Sequence, residues 1–166
     1  MKNARARSPM LRHEQVFDQP HTDSYRADAK LADPARCPTC NAAYRNGRWT
    51  WQDAGADVVA HQCPACLRIH DHFPAGYLSL KGKFTPERRE ELLSLVRARE
   101  AHAKAEHPMQ RIMAIEDVTG GILVTTTDGH LARGIGHALR DAFRGTLEIN
   151  FAHDENLVRA TWRSER

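Results

Sequence analysis

The sequence predicts an α+β protein in which a four-cysteine zinc ribbon precedes a long helix and a strand-strand-helix-strand-strand sandwich. Three observations carry that prediction. Two Cys-x-x-Cys pairs, Cys37-Pro38-Thr39-Cys40 and Cys63-Pro64-Ala65-Cys66, use all four cysteines of the chain. Thr85-Pro86-Glu87 places an N-cap residue, a proline and an acid where a helix begins. From Arg111 onward, apolar stretches of strand length surround one amphipathic segment.

Four segments follow from these signals. Residues 1–33 mix Pro, His, Asp, Arg and Gln without a sustained apolar period and read as a disordered basic arm. The zinc ribbon occupies 34–73, a connector and charged helix 74–107, and an α+β domain 108–166. The arm carries Lys2, Arg5, Arg7 and Arg12 before its first acid, and the ribbon is slightly basic, within an overall net charge of +3. Such a balance fits an anionic partner or a merely solvated tail. No apolar run approaches the roughly 20 residues of a membrane span. Cysteines in knuckle spacing, with no signal-peptide core, indicate a cytoplasmic protein.

In the ribbon, each short Cys-x-x-Cys turn aims two thiolates at one ion, so Cys37, Cys40, Cys63 and Cys66 together make a tetrahedral site for one structural Zn2+. Between the pairs, Asn46-Gly47 marks a tight turn and Arg48-Trp49-Thr50-Trp51 alternates as a strand does. Trp49 and Trp51 have two readings. They cover the ribbon or dock it on the next domain, or they form a platform for RNA bases with Arg45 and Arg48 beside them.

The connector holds a short strand near Leu78–Lys83. The helix from Thr85 runs to about Glu106, stops before Pro108, and buries Leu92, Leu95 and Val96. Its latter half is polar and stands off the core or spans the two domains. Arg111–Val118 and Ile122–Thr127 read as strands joined at Gly120-Gly121, and Asp128 caps a helix from Gly129 to Arg144. Thr146–Ala152 and Leu157–Arg163 complete a single sheet with that helix across one face.

Wound at helical pitch, the last helix sets Leu131, Ile135, Ala138, Leu139 and Ala142 opposite Arg133, His137, Arg140 and Arg144. That basic ladder suits phosphate contact, or it is a solvated face. Gly134 and Gly136 each cost about 1 kcal/mol within a helix, which a close approach by a strand or a partner would offset.

No nucleotide-binding loop or dinucleotide fingerprint is present. His70-Asp71-His72 directly follows the second cysteine pair and reads as a cap on the zinc loop rather than an acid–base site. No nucleophile, base and orienting group assemble, and the expectation is a protein that is not an enzyme.

A cysteine-pair module leading through a charged helix into Arg111-Ile112-Met113-Ala114-Ile115-Glu116-Asp117-Val118-Thr119-Gly120-Gly121-Ile122, then Leu131-Ala132-Arg133-Gly134-Ile135-Gly136, resembles a known family. It is the large-ribosomal-subunit export adaptor family, named for nonsense-mediated mRNA decay protein three. The arrangement is still more similar to a set of short bacterial proteins of like length. The resemblance implies association with ribosomal RNA or a ribosomal protein of the large subunit, in maturation, quality control or stress dormancy. The alternative is a zinc-ribbon adaptor between proteins, or a transcription-linked factor, without direct RNA contact. Neither role calls for a membrane or a small-molecule substrate.

Overall fold

The computed structural model describes Tyr25 and residues 31–152 and 157–165. The expected disordered arm lies almost wholly outside them.

Four short strands build the first sheet: β1 (Ala35–Arg36), β2 (Ala43–Arg45), β3 (Arg48–Thr50) and β4 (Val59–Ala60), in the order β3-β2-β1-β4. Arg45 pairs with Arg48 across Asn46 and Gly47. Both turn residues have positive φ, at 52° and 79°. That is the primed turn whose twist matches a two-residue hairpin, and Asn-Gly is the pair that tolerates it best. Helix α1 (Pro64–Asp71) then grows directly from the second cysteine pair. The sequence reading missed it, because Cys63 takes the N-cap place usually held by Ser, Thr, Asp or Asn.

The second sheet has five strands in the order β6-β7-β5-β9-β8. They are β5 (Gly76–Lys81), β6 (Ile112–Val118), β7 (Gly121–Thr126), β8 (Gly145–Ala152) and β9 (Leu157–Ser164). The supposed connector strand β5 is therefore the centre of the sheet, antiparallel to β7 and parallel to β9. The sheet thus takes its central strand from the segment read as a connector, before residue 108. A six-residue strand of alternating Leu, Ser and Lys looks like an edge in one dimension; only its partners on both sides make it central.

Helix α2 (Pro86–Glu106) connects β5 to β6, and α3 (Gly129–Ala142) connects β7 to β8. Each joins strands that run parallel but are not neighbours: β7 lies between β5 and β6, and β5 and β9 lie between β7 and β8. Both helices contribute to one core, on one face of the sheet. Leu92, Leu93 and Val96 from α2 and Leu131, Ala132, Ile135 and Leu139 from α3 meet Leu78, Leu80, Val124 and Trp162. Leu93 is buried where the sequence reading favoured Leu95, which is half-buried. Thr85 caps α2 as expected, its hydroxyl accepting from the Arg88 amide at 3.3 Å. Trp162 is fully buried, with Phe84 stacked 6.3 Å away and Phe143 edge-on at 6.4 Å.

The two glycines of α3 have different causes. A Cβ on Gly136 would stand 2.9 Å from a Leu147 methyl of β8, so the strand's close approach accounts for it. Gly134 faces open space. Gly134→Ala should therefore stabilise the protein by roughly 0.5–1 kcal/mol, since Ala costs the chain less entropy in a helix. Gly136→Ala should yield less, because Leu147 must shift to admit it. Chemical denaturation of both variants tests the difference.

Candidate metal centre

Cys37 follows β1 and Cys40 lies three residues on in a turn. The Asn41 amide donates to the Cys37 carbonyl at 2.9 Å, and the Cys37 amide to Ala42 at 2.8 Å. Asn41 adopts a φ of 64°, which its short polar side chain tolerates. Cys63 caps α1, its sulfur accepting from the Cys66 amide at 3.4 Å, and so Cys66 arrives in the first helical turn. The four Sγ atoms all lie within 4.8 Å of one another, and no disulfide joins them. Cys37 and Cys63 are completely buried, Cys66 nearly so, and Cys40 half-buried.

This cluster can hold a metal ion. A tetrahedral ion with metal–sulfur bonds of about 2.3 Å needs sulfurs about 3.8 Å apart, and Cys40 and Cys63 lie 3.7 Å apart. All four positions are protein sulfur, so an ion there has no open position for water or substrate. Ala42 and Ala65 line the cluster, with Trp49 and Met109 packed on its outside.

Burial pushes the Cys63 thiol well above its usual range, with the neighbouring sulfurs adding to it. Cys66 is also raised, by burial above all, against the opposing Arg111 hydrogen bond. For Cys37, burial works in the same direction, but amide donors from Cys63, Cys40 and Thr39 outweigh it and bring the thiol down to about 6. Such a site favours thiolate where the backbone donates. Elsewhere it needs a cation to stabilise the negative charge.

Part of that cation is Arg111. Its guanidinium donates to Cys40 Sγ at 3.1 Å and to Cys66 Sγ at 3.2 Å, while Nε donates to the Pro108 carbonyl at 2.7 Å. The residue is 7% exposed. Burial alone would lower its pKa; the sulfur contacts overcome this and hold it above the usual arginine value. Its amide donates to Thr127 Oγ1 at 2.9 Å, and the Thr127 amide returns a bond to the Arg111 carbonyl at the same length. Arg111 immediately precedes β6, so the cysteine module and the five-stranded sheet share this one side chain. Sequence reading had it as the start of a strand. Nothing along the chain brings residue 111 near residue 40; the only available signal was that four thiolates around a divalent ion leave an excess of negative charge.

The residues expected to meet RNA fall on several elements. Arg45 and Arg48 flank the hairpin turn and are exposed. Trp49 is half-buried, tilted against Tyr44 with centroids 5.4 Å apart, and packs on the cysteine cluster. Trp51 lies just past β3 and is 40% exposed. Its indole N–H donates to the Lys104 carbonyl at 2.6 Å, and the Arg111 guanidinium lies 5.6 Å from its ring centre. The docking role foreseen for these indoles is thus occupied, and the polar half of α2 is what Trp51 docks on. Arg133 and Arg140 are exposed on α3 and His137 is half-buried. Arg140 pairs with Asp141 at 2.9 Å, and Arg133 stands 5.9 Å over the Phe151 ring. Arg144 is exposed but lies beyond the helix, which ends at Ala142 with Phe143 as its C-cap. The ladder read from sequence therefore loses its last rung, because Phe143 turns toward Trp162 instead of continuing the helix.

His70 and Asp71 pair at 2.9 Å on the exposed end of α1, where the Tyr25 hydroxyl also donates to Asp71. A cleft of about 350 Å3 lies between Tyr44, Trp49, Arg68, Met109, Thr127 and Asp128. Thr127 spends its hydroxyl on the Met109 carbonyl at 2.6 Å, and Asp128 caps α3.

No protein-family model matches the chain, and searches of curated proteins and of solved structures find no significant match either. No helix among the described residues is long and apolar enough to cross a membrane.

Arg111→Met keeps most of the apolar stem and removes every donor. It should weaken metal binding about 10- to 100-fold, the usual cost of losing an outer-shell partner. Arg111→Lys should recover only part, since one ammonium cannot span two sulfurs as a planar guanidinium does. Competition against a metallochromic chelator measures both; unchanged affinity in the Met variant would remove Arg111 from the site.

Proposed function

We propose that this is a zinc protein without enzymatic activity that associates with ribosomal RNA in the cytoplasm, acting on the large ribosomal subunit in maturation, quality control or stress dormancy. Zinc is the ion that a closed set of four thiolates suits best, being redox-inert and content with tetrahedral sulfur. Its work is to fold the ribbon and to keep the thiolates anionic for Arg111.

The observation that carries the RNA reading is a set of displayed cations without carboxylate partners. Among the described residues, Arg45, Arg48 and Arg133 are exposed and make no ion pair, whereas Arg36, Arg88 and Arg89 each do. Unneutralised arginines are available to phosphates. The likeness of Arg111–Ile122 and Leu131–Gly136 to the export-adaptor family points the same way and directs the proposal to the large subunit. Trp51 contributes by holding the ribbon in place rather than by stacking on a base.

The adaptor reading has one observation of its own: Val59 and Phe73 expose apolar surface on the ribbon, at 57% and 55%. A pull-down that resists nuclease and lacks ribosomal RNA would favour it.

Co-sedimentation with ribosomes over a salt series tests the main reading. The protein should travel with the large subunit at low salt and dissociate steeply as salt rises. Changing Arg133, Arg140 and Arg144 together to Glu should abolish co-sedimentation while leaving metal content and thermal midpoint unchanged. Protein that stays at the top of the gradient at the lowest salt would overturn the proposal.

A further inference from the structure

Helices α2 and α3 share one face of the five-stranded sheet, and the other face carries a pattern of its own. At its centre β5 and β9 run parallel, in register, with Tyr77 beside Arg159, Ser79 beside Thr161 and Lys81 beside Arg163. Alternation fixes which way these six point. Leu78, Leu80, Ala160 and Trp162 are in the core, so their neighbours along each strand face away from it. Arg159 and Arg163 are exposed and the other four half-buried. The two central strands thus present three cations, two aliphatic hydroxyls and one phenol ring, and no acid. Acids reach this face only from the outermost strands, as Glu116 on β6 and Glu148 on β8.

None of the three cations has an ion pair among the described residues. Arg159 instead lies over the Tyr77 ring, its guanidinium 4.8 Å from the centroid. Lys81 and Arg163 stand directly across from each other on neighbouring strands, where like charges repel. An anion lying across the strands would relieve that repulsion.

We propose that this face binds a single-stranded segment of RNA. The inference rests on the RNA reading above and assigns it a surface that sequence reasoning did not single out. Arg159 and Arg163 are four residues apart on one strand, about 13 Å at strand rise, far enough to hold separate phosphates of one chain. Lys81 beside Arg163 adds a third contact. The stacked Tyr77–Arg159 pair offers a delocalised plane for a base, and Ser79 and Thr161 supply hydroxyls that donate to or accept from base edges and 2′-OH groups. Paired bases in a duplex hide the faces that such a plane would stack upon, so the occupant is unpaired.

The test uses the full-length, metal-loaded protein and fluorescence anisotropy with short oligouridine and oligoadenine RNAs, against a blunt RNA duplex. Wild-type protein should prefer the single strands. Tyr77→Ala should weaken binding by about 5- to 150-fold, the range for losing one stacked base, while Tyr77→Phe keeps the ring and stays near wild type. Lys81→Gln with Arg163→Gln should lower the salt dependence by about 1.4 in log–log slope, at about 0.7 per phosphate contact. All variants should keep wild-type metal content and thermal midpoint, since the changes lie on the solvent side.

Equal affinity for duplex, or unchanged single-strand binding in both Tyr77→Ala and the double variant, overturns the sheet assignment. If the Arg133, Arg140 and Arg144 triple variant meanwhile loses binding, the RNA reading survives and the helix is its site. If wild-type protein binds no RNA and does not sediment with ribosomes, the underlying reading fails and the sheet proposal with it. Loss of a nuclease-resistant protein partner in the double variant would also overturn the proposal, by giving the face to a protein.

Discussion

The contact between Arg111 and the cysteine sulfurs is the constraint on which the arrangement of this protein depends. A guanidinium buried without partners costs several kcal/mol, and so does a cluster of thiolates held out of water. Each removes the other's penalty. Four thiolates around a divalent ion carry a net charge of −2, and Arg111 halves it through hydrogen bonds of 3.1 and 3.2 Å. Charge-assisted bonds of this kind are about twice as strong as neutral ones, and they are strongest to ionised sulfur, the form a bound ion would maintain.

Because Arg111 belongs to the chain entering β6, an ion held by the cysteines would be coupled to structure beyond the ribbon. The Arg111 backbone is fixed by two hydrogen bonds to Thr127, and Thr127 leads through Asp128 into α3. Trp51 closes the other side by donating to the end of α2. The metal site, the first residues of β6, the N-terminus of α3 and the C-terminus of α2 therefore meet in one place. An ion closed in by four sulfurs would act there by fixing how the ribbon stands against the sheet.

Both crossover helices lie on one side of the sheet, and no described helix covers the other. Their connections skip neighbours, so β5 and β9 come together in the middle from distant parts of the sequence. Lys81 and Arg163 meet only because of that pairing. Three cations have been brought together by topology, on strands that separately carry nothing unusual. The apolar alternation needed for the core, Leu78 with Leu80 and Ala160 with Trp162, is what turns the polar residues outward together.

The two cysteine pairs, the Asn46-Gly47 hairpin, the Thr85 cap and the four strands after Arg111 were legible in the sequence, because each is set by neighbours within a few residues. Knuckle spacing places two sulfurs, positive φ selects Asn-Gly, and side-chain alternation has a fixed period. The α3 ladder was legible only as far as Arg140, since Phe143 leaves the helix to meet Trp162. Three features needed the tertiary structure: Arg111 on the sulfurs, the choice of docking over an open platform for Trp51, and the central place of β5. Each depends on residues far apart in the chain being brought together when the core closes. Local sequence determined which side chains could bind a metal or face water. Long-range pairing decided which cation neutralises the cysteines and which cations stand together on the open sheet, because charge and burial act through space and not along the chain.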